Sequence, residues 1–233
     1  MYPFIIALAI LPGLLISYYI FRLDRYEEEP RIPLLISFAL GMVLTIPAIY
    51  LEKMAVDWGW QDPESLWLTL LFAFVGVSLV EEFFKFSGLL IFPFRQSFFN
   101  EPMDGIVYSV MIGMGFATLE NILYADRFGL ETVLVRALTA VPAHASFAIM
   151  MGYFAGLAKF DRKNRWKLLL KGFALTVAVH GGYDFFIEQQ LYNWLIIWAI
   201  VILFVAVHFA RRLVLEHVRQ SPFREPEEPD GSA

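Results

Sequence analysis

The chain has 233 residues, of which 58% are hydrophobic, 17% aromatic and only 18% charged, with a formal net charge of -5 and a mean hydropathy of +0.59. That is far more apolar than an ordinary globular domain, so an integral membrane protein is expected. The absence of cysteine excludes disulfides, thiolate metal ligands and a cysteine nucleophile, and the acidic balance speaks against a nucleic-acid partner.

Apolar runs long enough to cross a bilayer lie at about 3–21, 33–51, 66–93, 105–125, 133–158, 168–187 and 191–210. They predict an all-α polytopic protein of about seven transmembrane helices. The first run lacks a basic n-region and a small-residue cleavage site, so it reads as a retained span. The second ends before the polar segment Asp57 to Glu64. Residues 1–215 are expected to form one membrane-embedded domain, and 216–233 an acidic cytoplasmic tail without fixed structure.

The third run holds Glu81, Glu82 and Lys85 among apolar residues. Ionisable groups near the middle of a span cost about 2.5–3.5 kcal/mol each, so they need a partner or a use. On a straight helix Glu81 and Lys85 share a face, while Glu82 points about 100° away and is left without a partner.

Further along, Glu120 and Asn121 stand in the fourth run, His144 in the fifth, and His180 with Asp184 in the sixth. All lie near mid-span and can occupy one layer. Glycines and alanines such as Gly113, Gly115, Ala143, Gly152, Gly156 and Gly181 stand beside them, where membrane helices approach closely. Pro142 lacks an amide hydrogen and would free the Leu138 carbonyl, loosening the fifth run just before His144. The tryptophans Trp58, Trp60, Trp67, Trp194 and Trp198 fit interface anchors better than a ligand box.

Of the eighteen Lys and Arg residues, all but Lys53, Arg127, Arg136 and the intramembrane Lys85 fall on one side of the seven-span arrangement. The positive-inside rule then puts the N-terminus outside and the C-terminus in the cytoplasm of a plasma membrane.

A layer of glutamate, histidine, asparagine and aspartate suits the activation of water. A glutamate in a partly apolar pocket can act as general base, with histidines or an asparagine amide holding water or an oxyanion. The same residue types could hold Zn²⁺ through two histidines and a carboxylate, with water in the fourth position. Both chemistries remain open, so either no cofactor is required or Zn²⁺ is. There is no His-Glu-x-x-His, no Gly-x-Ser-Gly and no Gly-x-Gly-Asp, which disfavours the usual zinc, serine and aspartyl intramembrane proteases. The rival is a non-catalytic scaffold or a transporter with a buried polar layer; no internal repeat supports transport.

Four motifs in order, Glu81-Glu82-x-x-Lys85, Phe116-x-x-x-Glu120-Asn121, Arg136 leading to His144-Ala, and His180-Gly-x-Tyr183-Asp184, resemble those of the PrsW family of bacterial membrane proteases. Pro12-Gly13 and the Asp24 to Pro30 segment fit as well.

The resemblance implies a protease that makes the first, extracytoplasmic cut in a membrane-anchored anti-sigma factor or other single-span protein. It also implies kinship with the CAAX-protease and bacteriocin-processing superfamily. Carried over by motif, the catalytic set is Glu81, Glu82, Glu120, Asn121, His144 and His180. Glu81 is then the expected general base, His144 and His180 orient water or bind metal, and Asn121 donates to the oxyanion. The candidate metal ligands are Glu81, His144, His180 and Asp184, the last standing where the prenyl-protease branch places an asparagine.

Overall fold

The computed structural model describes residues 3–224. Helix α1 spans Pro3–Leu23, α2 Arg31–Asp57, α3 Leu66–Leu71, α4 Leu79–Ile91, α5 Pro102–Phe128, α6 Leu130–Leu138, α7 Ala140–Phe160, α8 Arg165–Glu188 and α9 Ile196–Arg219. A π-helical segment, Phe72–Ser78, joins α3 to α4, and α6 is continued by α7 after a break at Thr139. The described residues contain no strand, and their helices stack into seven rods, as expected. Six stretches are long and apolar enough to cross a membrane; α8 is not among the six. It carries Lys167, Lys171, His180 and Asp184 within its 24 residues. The chain is a multi-pass membrane protein.

The hub is α5, the span with the largest buried share, packed against α1, α2, α4 and α7. Its small residues explain how four helices reach it. A Cβ on Gly105 would run into the backbone of Gly152 and Gly156 on α7, and a Cβ on Gly115 into the Phe38 carbonyl on α2. Backbones this close gain dispersion contacts that lipid cannot supply, which drives association inside a membrane. The outward faces of α1, α2 and α9 expose Leu15, Leu35, Phe204 and Val205, a surface that lipid rather than water tolerates. Trp58, Trp67 and Trp194 are exposed at one end of the bundle.

Four local features differ from the sequence expectation. The third rod is not a uniform helix: its π segment is tied to α8 by the Ser78 hydroxyl, which donates to the Val177 carbonyl at 2.7 Å. Helix α2 runs on to Asp57, helped by the i,i+4 pair Lys53–Asp57 at 2.9 Å, so Glu52 is helical rather than beyond the span. The fifth rod breaks at Thr139, and Pro142 falls in the first turn of α7, where its missing amide hydrogen costs little. Helix α9 extends to Arg219, so 216–219 are helix rather than tail. Residues 220–224 of the expected unstructured tail form a turn with Ser221 buried, and 225–233 lie outside the described residues.

Candidate active site

The first turn of α4, directly after the π segment, presents Glu81 and Glu82. A π segment shifts the register of a helix, and such segments recur at functional sites. Both carboxylates converge on Lys85 of the same helix: its Nζ donates to Glu81 Oε2 at 2.9 Å and to Glu82 Oε1 at 2.8 Å. This corrects the sequence expectation that Glu82 points away without a partner. At i,i+3 and i,i+4 one long ammonium side chain reaches both. All three groups are at most 5% exposed, so removing the lysine would strand two charges in a medium that does not solvate them.

Helix α7 adds His144 and α8 adds His180. His144 Nδ1 is 3.1 Å from Lys85 Nζ. An ammonium only donates, which assigns Nδ1 as the acceptor and puts the ring proton on Nε2. That Nε2 lies 3.0 Å from Glu120 Oε2. His180 Nδ1 hydrogen-bonds Glu82 Oε1 at 2.9 Å, and its Nε2 lies 3.0 Å from Asp184 Oδ2 without a hydrogen bond to it. Its ring stacks on Phe147 with centroids 4.7 Å apart, which holds the imidazole in one plane. The ammonium of Lys85 also sits over the Phe116 ring, 4.4 Å from its centroid.

Helices α5 and α6 close the layer. Arg136 Nε donates to Asn121 Oδ1 at 2.8 Å and its Nη2 to Glu120 Oε2 at 3.4 Å, while the guanidinium lies 4.0 Å from the Tyr124 ring centroid. Asn121 Nδ2 makes a 3.4 Å contact to the Ala9 carbonyl of α1. One polar chain therefore runs from Arg136 through Glu120, His144 and Lys85 to Glu81 and Glu82, and on through His180 to Asp184. Every candidate named from the sequence lies in it.

Two residues with a place here carried little signal in the sequence. Arg136 counts in the sequence among the outer-side charges and stands in the motif leading to His144, but with no partner assigned; it is the link between α6 and α5. Glu52 read as lying past the end of its span. It lines an open cavity of about 660 Å³ together with Phe72, Glu120, Tyr124, Arg127 and Glu188. Its Oε1 is buried without a hydrogen bond. The Lys53/Asp57 spacing was the available clue, because it prolongs α2 and turns Glu52 inward.

Ligand atoms of Glu81, Glu82, His144 and His180 all lie within 4.8 Å of one another. Two imidazoles and two carboxylates suit a zinc-class ion in donor type and number. Glu82 Oε2, buried with no donor, is a free coordination position. Lys85 Nζ lies within hydrogen-bonding distance of three of these four residues, so it already supplies the positive charge an ion would bring. The residues fit a metal in competition with Lys85.

Residues 29–210 match the family described as PrsW family intramembrane metalloprotease. The chain is 38% identical over 181 residues to "Protease PrsW" of Geobacillus kaustophilus (strain HTA426), covering 77% of this chain and 78% of that one. It is 37% identical over 196 residues to the protein of the same name from Bacillus subtilis (strain 168), covering 82% and 85%. With that of Clostridioides difficile (strain 630) it shares 34% over 200 residues, covering 83% of each. No solved structure matches.

Proposed function

Since the chain belongs to the PrsW family of intramembrane proteases, we propose that it is an endopeptidase that cuts a single-span membrane protein, a membrane-anchored anti-sigma factor in the first instance, using water activated by Glu81. The observation that carries this reading is the continuity between cavity and carboxylates. Glu120 lines the cavity and lies 3.0 Å from His144 Nε2, and Lys85 links His144 to Glu81 and Glu82. A peptide entering the cavity would meet this chain at Glu120.

In this mechanism Glu81 takes a proton from water as the oxygen attacks the scissile carbonyl carbon. The carbonyl π electrons move onto oxygen. Arg136, with the Asn121 amide it holds, faces that oxyanion. Collapse of the tetrahedral intermediate breaks the C–N bond, and the proton on Glu81 passes to the leaving nitrogen. Lys85 holds Glu81 and Glu82 side by side, and Glu82 fixes the His180 ring through Nδ1. The substrate must be unwound locally, since a closed helix offers no accessible peptide group. The cavity lies at the ends of α2, α5 and α8, the side the positive-inside rule makes extracytoplasmic. The reading therefore includes an outside N-terminus and a cytoplasmic C-terminus.

The second reading is metal-assisted hydrolysis, favoured by the four-donor cluster and the family's description. Glu81, Glu82, His144 and His180 would hold the ion, which when bound supplies Lewis-acid activation of water. The deciding experiment is cleavage of a purified candidate anti-sigma factor by the purified protein in bilayers, before and after exhaustive chelation, with Glu81→Gln alongside. Cleavage that Glu81→Gln abolishes and chelation spares supports the first reading. Loss on chelation with recovery on added Zn²⁺ selects the second, and a product that persists in Glu81→Gln rejects both.

A further inference from the structure

Far from this layer, at the opposite end of α5, five carboxylates come together: Asp24, Glu27 and Glu29 from the α1–α2 connection, and Glu101 with Asp104 at the start of α5. Asp104 and Glu120 are sixteen residues apart on one helix, so the two clusters are separated by about 24 Å along its axis. One oxygen from each of Asp24, Glu29 and Asp104 lies within 4.8 Å of the others, and the same holds for Glu27, Glu101 and Asp104. Asp24, Glu29, Glu101 and Asp104 are 0–4% exposed.

Three of these carboxylates are anchored by one oxygen. Glu27 Oε1 accepts from the Asn100 side-chain amide at 2.8 Å. Asp104 Oδ2 accepts from the backbone N–H groups of Asn100 at 2.6 Å and Glu101 at 2.9 Å. Glu29 Oε2 accepts from the Tyr108 hydroxyl. Their other oxygens, Asp104 Oδ1, Glu29 Oε1 and Glu27 Oε2, make no hydrogen bond, nor does Asp24 Oδ2, and all are buried. Among the described residues none of the five carboxylates forms an ion pair. The nearby ammonium of Lys159 is spent on the carbonyls of Phe94 and Gln96, at 2.6 and 3.1 Å. Buried polar oxygens without donors are rare in native proteins and call for a partner. Burial, and then the negative charges of Glu101 and Asp104, pushes the Asp24 carboxyl up to about 8. Burial likewise pushes Glu29 up to about 7.

We infer that Asp24, Glu29 and Asp104, with Glu101 and Glu27 beside them, bind a hard divalent cation of the Mg²⁺ or Ca²⁺ class at a structural site distinct from the intramembrane one. The donors are all oxygen, which excludes the softer preference of zinc and copper and suits these ions. A cation there bridges the α1–α2 connection to the first turn of α5, the two segments the cluster spans. It lets buried carboxylates stay ionised without protein cations.

The test uses the full-length protein in detergent with Mn²⁺ as a spectroscopic stand-in. Electron paramagnetic resonance titration should find a Mn²⁺ site with a dissociation constant below about 1 mM, displaced by Mg²⁺ or Ca²⁺. Its pulsed spectrum should show no histidine nitrogen coupling. Glu29→Gln should weaken it about tenfold or more, while Glu82→Gln should leave it intact. Because Asp104 also holds two backbone N–H groups, Asp104→Asn risks the fold, and Asp24→Asn, which breaks no anchoring hydrogen bond, serves as the second variant. If wild-type protein binds no Mn²⁺ at millimolar concentrations, protons rather than a cation hold the cluster and the inference fails. It fails equally if the bound Mn²⁺ shows histidine coupling and disappears in Glu82→Gln, or if binding is indifferent to Glu29→Gln and Asp24→Asn combined.

Discussion

Lys85 Nζ lies 3.1 Å from His144 Nδ1 while holding Glu81 and Glu82 at 2.9 and 2.8 Å. One ammonium therefore sits at the centre of the residues a metal would need, and it decides how each of them can act. The carboxylates tolerate burial because of it, and His144 turns its N–H towards Glu120 because of it.

Replacing Lys85 with Met, similar in length but uncharged, should destabilise the protein by about 3–5 kcal/mol, because it leaves two buried carboxylates uncompensated. Chemical unfolding in detergent reads this directly. A Lys85→Met protein as stable as wild type would mean that another cation, metal included, shares the site.

Glu81→Gln keeps the side-chain shape and removes the base. Turnover of a single-span substrate should fall by about 10²–10⁴ while the protein still folds. Near-normal cleavage would move the base to Glu82 or Glu120.

Metal content separates the two hydrolytic readings. If Lys85 holds the site, active enzyme should keep its rate after prolonged chelation and show no stoichiometric zinc by elemental analysis. Zinc found at one per chain, lost together with activity in His180→Ala, would overturn the metal-free preference.

The α5–α7 crossing is a contact of backbone on backbone. Gly152→Ala would drive its Cβ into Gly105 and Ile106, and should cost about 1–3 kcal/mol as overpacking. Gly182→Ala meets only the Ile202 Cδ1 methyl at 3.6 Å. It should range from neutral to about 1 kcal/mol stabilising through helix propensity. Equal effects at the two positions would mean that the close crossing does not govern assembly.

Topology can be read with single cysteines, since the chain has none of its own. Leu123→Cys, at the rim of the cavity, should label with an impermeant thiol reagent on intact cells. Lys163→Cys, in the exposed α7–α8 turn, should label only after permeabilisation. The reverse pattern would place the cavity mouth on the cytoplasmic side.

The number of helical rods and the identity of the polar layer were legible in the sequence, because both rest on quantities local to the chain. A run of about twenty apolar residues has one economical fate in a bilayer, and a carboxylate inside such a run is conspicuous by its cost. Glu81, Glu120, His144 and His180 stood out for that reason before any contact was known. Which of them touch was not legible. The π segment that precedes Glu81, the contact of Lys85 with His144, and the turn of Arg136 onto Asn121 depend on how the rods pack against one another, and no residue's own neighbours in sequence encode that. Glu52 was hidden by the same limit, since its burial depends on α5 and α8 closing over the end of α2. The carboxylates of the α1–α2 connection stand in the sequence only as a polar segment between two apolar runs, which says nothing of their burial. Only the docking of that loop on the start of α5 buries Asp24, Glu29 and Asp104 together, and burial turns a surface charge run into a set of ligands.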